Sequence, residues 1–213
     1  MRNPEMYDIS VSLREGMPVW PGDGGFVRHL THRLADGDLS NCSRLELGAH
    51  TGTHIDTPLH FLNGRETLDD YPVDRFRLAA EVIDATGCPT VTADHVASAS
   101  DHDAQAIVFK TDNSMRDIYA DGFVTDYVGL THQAAEACVA REYQMVGVDY
   151  LSVDAYEAVD EHASHLALLD AGIIPLEGLD LSTVPPGRYT LIALPLKLAG
   201  SEASPVRAVL IGV

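Results

Sequence analysis

The sequence predicts a single mixed α/β domain in which β-sheet and helix pack as β/β/α layers, and three observations carry that expectation. The chain has 213 residues, enough for one substantial core and short for two. Compact apolar runs of strand length recur from end to end, with helical patterns between them only beyond the N-terminal third. No linker, internal repeat or low-complexity run divides the sequence, so the domain is expected to span 1–213.

Taken in order, Tyr7 to Leu13 alternates as a strand, and Arg44 to Gly48 is a second strand leading into a histidine-rich segment. Glu81 to Asp84, Ala106 to Thr111, Val146 to Val148 and Ile173 to Leu176 are short apolar runs of the kind that form buried strands. Tyr189 to Leu194 and Val206 to Ile211 flank the turn-forming stretch Gly200 to Pro205. Helical patterns cover Thr92 to Ala99, Thr131 to Glu142 with Thr131 as N-cap, and about Ala163 to Ala171, where Gly172 ends the helix. Because strands and helices alternate only in the middle, mixed sheets are expected instead of a doubly wound parallel one.

The formal charge of -18 argues against a nucleic-acid partner and against adhesion to anionic membrane surfaces. Two lysines, Lys110 and Lys197, stand against twelve arginines and twenty-one aspartates. Such a surface suits a salt-rich interior, where screening relieves self-repulsion, and equally an acidic cytosolic enzyme without salt adaptation. No run approaches the roughly 20 apolar residues of a membrane span. Glu5 and Asp8 fall where a secretory signal would be apolar, so a cytoplasmic protein is expected. Cys42, Cys88 and Cys138 form no CxxC pair and read as buried thiols, with neither a disulfide framework nor a thiolate zinc site.

The chemistry concentrates in eleven residues, His50-Thr51-Gly52-Thr53-His54-Ile55-Asp56-Thr57-Pro58-Leu59-His60, which hold three of the ten histidines and a carboxylate. As one straight strand this segment would stretch about 33 Å at roughly 3.3 Å per residue, too far for one ion to collect its donors. Gly52 permits a sharp bend and Pro58 cannot continue a ladder, so the segment is expected to fold back, with His50, His54 and Asp56 converging. Imidazole and carboxylate donors suit divalent Zn, Mn or Fe, and three ligands leave a position for water. That is a catalytic arrangement, in which the pKa of bound water falls from about 15.7 to near 7 and hydroxide forms at neutral pH. Asp56 has two oxygens and could bridge a second ion, with His162, His165 and Glu177 as candidates to complete it.

HTGTHIDTPLH at 50–60 resembles the HxGTHxDxPxH signature of the metal-dependent cyclase family, which includes bacterial kynurenine formamidases (arylformamidases) and isatin hydrolases. The resemblance extends over nearly the whole chain, through PVWPGD at 18–23, the spacing from His165 to Glu177 and the ending ALPLKLAGSEASPVRAVL at 193–210. It implies a layered β/β/α cyclase-type fold, assembled as a homodimer or homotetramer. It makes His50, His54 and Asp56 ligands of a first Zn2+ (alternatively Mn2+), makes Asp56, His165 and Glu177 ligands of a second, and makes His60 a proton shuttle.

Trp20 falls at an aromatic substrate contact of the formamidases. Core packing is the plainer role for a lone tryptophan, but its turn between Pro18 and Pro21 favours a pocket wall. Two departures stand out, Thr53 where the formamidases often have alanine, and Ser152 to Ser164, which does not resemble theirs.

The implied activity is hydrolysis of an amide bond in a small aromatic substrate, foremost N-formyl-L-kynurenine. Ring-opening of a cyclic amide such as isatin needs the same chemistry and is the alternative. A non-catalytic metal- or ligand-binding protein would need the ligands but no spare histidine, and His60 is spare. No GxGxxG follows a strand, which disfavours a dinucleotide-dependent oxidoreductase.

Overall fold

The computed structural model describes residues 5–116, 118–120, 122–156 and 162–213. Among them are ten strands, β1 (Met6–Asp8), β2 (Val27–His32), β3 (Cys42–Glu46), β4 (His54–Asp56), β5 (Arg77–Asp84), β6 (Ala106–Lys110), β7 (Met145–Val148), β8 (Ile174–Glu177), β9 (Gly187–Pro195) and β10 (Ala203–Gly212). Four helices accompany them, α1 (Ala93–Ser98), α2 (Asp112–Met115), α3 (His132–Ala140) and α4 (Ala163–Asp170).

The run β5-β6-β7-β8 is parallel. Antiparallel β4 and β10 extend it from β8, and β9 pairs both β10 and β5, so the mixed sheet closes on itself. Successive residues of the parallel strands are buried on opposite faces, which is why these strands read as continuous apolar runs. Ala80, Val82, Ala106, Val108, Met145, Ile174 and Leu176 pack inside the closed sheet with Leu191, Ala193, Ala208 and Leu210. Ile83, Ile107, Phe109, Val146 and Val148 face outward against Val96, Ala134, Ala135, Cys138 and Leu168 of α1, α3 and α4. The expected β/β/α layering is therefore two walls of one closed sheet covered by a helical layer.

The helix signals hold. The Thr131 hydroxyl accepts from the Ala134 N–H at 3.2 Å and opens α3, and Gly172, at φ +73°, follows α4. Three expectations need correction. The N-terminal strand stops at Asp8 and leaves only a bridge at Ser10, because beyond it the Val11 N–H turns to the Thr53 hydroxyl at 2.9 Å. The second strand is Cys42–Glu46, which pairs with β2 in a separate two-stranded sheet and ends before the histidine segment. Strand β2 was not legible because VRHLTH is largely exposed and lacks an apolar face. The thiols also differ, since only Cys138 is buried while Cys42 is exposed and Cys88 half-buried. No helix among the described residues is long and apolar enough to cross a membrane.

Candidate metal centre

The histidine segment folds back as its glycine and proline require. Gly52 has φ +72°, and a Cβ there would lie 2.6 Å from the Leu13 side chain. Gly178, also at φ +72°, lies so close to the backbone of Gly52 that a Cβ would come within 2.2 Å of the Gly52 carbonyl oxygen. This close approach seats β4 beside the end of β8, with His54 directly opposite Glu177. Strand alternation then sends Ile55 into the core and puts His54 and Asp56 on the other face. Pro58 opens the 3-10 turn Pro58–His60, which brings the His60 ring to 4.2 Å from that of His50. From the helical side, α4 delivers His165 to the same point.

The donors converge on Asp56. His50 Nδ1 is 2.9 Å and His54 Nε2 3.6 Å from Asp56 Oδ1, and His165 Nε2 is 3.7 Å from Oδ2. Glu177 lies 3.2 Å from His54 Nε2 and 3.0 Å from His165 Nε2. The Gly52 carbonyl lies 2.9 Å from His54 Nδ1, and an Asp154 oxygen lies 2.6 Å from His165 Nδ1. A carbonyl or carboxylate only accepts, so each Nδ1 is the donor. In neutral rings the two Nε2 lone pairs must then face the Asp56 and Glu177 carboxylates, acceptor against acceptor. Either protons or cations must lie between them. Asp56, which is 1% exposed, makes no well-aligned hydrogen bond through either oxygen, although His50 Nδ1 lies 2.9 Å from one of them, an arrangement that buried carboxylates avoid. The residues therefore fit a divalent cation, and two groups of potential ligands, His50-Asp56-His60 and His54-Asp56-Glu177, share Asp56.

In the protein without metal, protons take the cation's place. Burial opposes charge on His54, but the Asp56 and Glu177 carboxylates outweigh it and raise the imidazole from 6.5 to about 9. Burial likewise opposes charge on His165, and Glu177, Asp154 and Asp56 carry it well above the ordinary histidine value. Burial would raise Asp56, yet the surrounding imidazoles hold it well below the usual carboxylate range. His60 moves the other way, its pKa lowered by burial, which keeps it a neutral imidazole near neutrality.

A pH dependence follows. A raised histidine stabilises the folded state fully below its unfolded pKa, and that stabilisation is lost as pH rises through the folded value. The chelated protein should therefore lose thermal stability between pH 6.5 and about 9. Metal must displace the same protons, so its affinity should rise across that window. Thermal melts with and without chelator over this range check both signs, and a metal affinity indifferent to pH would contradict them.

Each expected site residue lines one cavity of about 420 Å³, namely Trp20, His50, His54, Asp56, His60, His165 and Glu177. Trp20 is half-buried, with its ring edge-on to Phe123 at 5.3 Å, so it is both packed and part of the wall. His162 also lines the cavity, its Nδ1 3.8 Å from Asp154, and it forms a third potential ligand group with Asp154 and His165. Thr53 faces away from the cavity, donating to the Gly178 carbonyl at 2.6 Å, so this departure ties β4 to the end of β8 and does not touch the pocket.

Sequence reasoning missed Asp154, Phe61, Asp23 and Glu202. Asp154 carried no local signal, because the acid that directly follows the apolar run MVGV is Asp149 and Asp154 falls six residues beyond the strand. It lies in the unfamiliar 152–164 stretch, of which 157–161 fall outside the described residues. Besides the bond to His165 Nδ1, its carboxylate accepts from the Ser164 N–H at 2.8 Å, at the start of α4. It thereby fixes the ring that it orients.

Comparison with known proteins shows the family. Residues 7–155 match the family model described as "Putative cyclase". The chain belongs to the cyclase family. It is 42% identical over 209 residues to a kynurenine formamidase of Salinibacter ruber, covering 96% of each chain. A solved structure of a predicted metal-dependent hydrolase from Bacillus stearothermophilus superposes with a TM-score of 0.82 at 32% identity, covering 98% of both chains. Isatin hydrolase A of Labrenzia aggregata shares the fold with a TM-score of 0.82 at 23% identity, covering 98% of this chain and 93% of that one.

Proposed function

We propose that this cyclase-family protein is a metal-dependent amidohydrolase of the arylformamidase type, which converts N-formyl-L-kynurenine to kynurenine and formate. The observation that most supports it is the 42% identity to a kynurenine formamidase over 96% of both chains, in a protein whose buried Asp56 faces three imidazoles. His50, His54 and Asp56 would hold one divalent cation and Asp56, His165 and Glu177 a second, with Zn2+ first and Mn2+ the alternative for this nitrogen and oxygen donor set. Bound there, a divalent cation lowers the pKa of a coordinated water and polarises a carbonyl.

The chain's own residues do the rest. Trp20 and Phe61 supply aromatic walls for the aryl ring, and holding the ring sets the formyl carbon at the ligand cluster. His60, neutral and beside His50, takes the proton of the attacking water and passes it to the leaving nitrogen. Asp154 keeps the His165 proton on Nδ1 and so leaves Nε2 free to ligate. Release of kynurenine, followed by absorbance in metal-loaded protein with isatin in parallel, tests the assignment. Turnover of isatin and not of the formamide would make cyclic-amide opening the activity.

In this reading the protein would act in the cytoplasm as a homodimer or homotetramer. Supporting assembly, the sheet of β2 and β3 is largely exposed on both faces and carries the exposed Leu30 and Leu45, with Leu34 and Leu39 exposed in its connection. A lone two-stranded sheet is marginal in water. Light scattering should return a dimer or tetramer mass, and a monomer mass would overturn this part.

A further inference from the structure

We infer that Glu202 is the positioning residue of His50. Its carboxylate holds the His50 ring proton on Nε2, so that His50 turns Nδ1 to the cation, whereas His54 and His165 turn Nε2. The inference rests on the metal reading of the cluster and on no particular substrate.

A neutral imidazole carries its proton on one nitrogen, and only the other can bind a metal. What the outer nitrogen meets therefore decides which atom the ring offers inward. For His54 the outer nitrogen is Nδ1, 2.9 Å from the Gly52 carbonyl, and for His165 it is Nδ1 again, 2.6 Å from Asp154. His50 is reversed. Its Nδ1 lies inward, 2.9 Å from Asp56 Oδ1, and its Nε2 lies outward, 3.7 Å from Glu202 Oε1. Among the described residues these are the only carboxylates within 4.0 Å of His50, one at each nitrogen. An exposed glutamate beside a histidine is ordinarily a weak surface contact. Here the opposite nitrogen faces a buried ligand carboxylate, so the contact selects a tautomer.

Strand register puts Glu202 in place. Ala203 pairs with Asp56 where β10 meets β4, and Glu202 is the residue just before that pairing. Its carbonyl accepts from the Thr57 N–H at 2.8 Å and from the Thr57 hydroxyl at 3.0 Å. Its Oε2 accepts from the Ser201 hydroxyl at 3.4 Å, which leaves Oε1 for His50. The Glu202 side chain is 41% exposed against 3% for that of Asp154, so the 3.7 Å gap is closed by a small rotation or spanned by one water. His50 is thus the most loosely held of the three ligand imidazoles, and Glu202 controls the first cation, which alone uses it.

Zinc titration of the stripped protein and long-range 1H–15N correlation spectra of the zinc-loaded protein test this independently of activity. The spectra should place the His50 proton on Nε2 and those of His54 and His165 on Nδ1. In E202A one of the two zinc affinities should fall about 10- to 100-fold, the usual cost of removing a ligand's outer partner, while the other holds. E202Q, whose amide oxygen still accepts, should lie between E202A and wild type. In chelator all three should melt alike. A His50 proton on Nδ1, or two unchanged zinc affinities in E202A, would overturn the inference alone. So would an E202A protein destabilised equally with and without chelator, since that marks a merely structural role. Wild-type protein that binds no zinc would overturn the metal reading and this inference with it.

Discussion

Asp56→Asn should yield a folded protein that has lost most of its bound metal and, with it, its amidase activity. Asparagine keeps the size of aspartate, so the packing of β4 between β8 and β10 survives. It removes the charge that three imidazoles face, at 2.9, 3.6 and 3.7 Å. Because Asp56 belongs to both ligand groups that converge on it, neither ion keeps its full donor set. Elemental analysis of the purified variant is the direct reading. The melting temperature should fall toward that of chelated wild type, since a ligand present at 100 times its Kd stabilises the folded state by about 2.7 kcal/mol. Wild-type metal content in Asp56→Asn would remove Asp56 from the centre of the site.

His60→Ala should separate chemistry from metal binding. The variant is expected to retain its metal and to lose roughly 10² to 10⁴ in kcat, the usual contribution of a positioned acid or base. The geometry makes this a sharp test, because the donor atoms of His50, Asp56 and His60 also lie within 4.8 Å of one another and could share an ion. Loss of metal together with activity would make His60 a ligand. His54→Ala is the matched control, losing metal first.

The site was legible in the sequence to an unusual degree because its donors are local. His50, His54, Asp56 and His60 lie within eleven residues, and the glycine and proline that fold them together lie between them. What closes the turn was not legible. Gly178 meets Gly52 across 126 positions, a contact that no local pattern encodes. Asp154 is similar, an ordinary acid in the sequence until α4 carries His165 onto it.

The buried strands β5 to β8 declared themselves by apolar runs, whereas β2 and β3 had no buried face to betray them. The closure of the sheet was hidden for a further reason. It depends on β10 pairing β4 through 203–205 and β9 through 206–212, a division of one strand between two partners.

In the proposed function, hydrolysis of an aryl formamide requires divalent metal at this cluster. Its most direct test is to strip the protein with chelator, titrate Zn2+ or Mn2+ back, and follow release of kynurenine from N-formyl-L-kynurenine against metal bound per chain. Negligible turnover is expected in the stripped protein, with a rate that rises with occupancy and then saturates. A stripped protein that hydrolyses the formamide at the metal-loaded rate would contradict it.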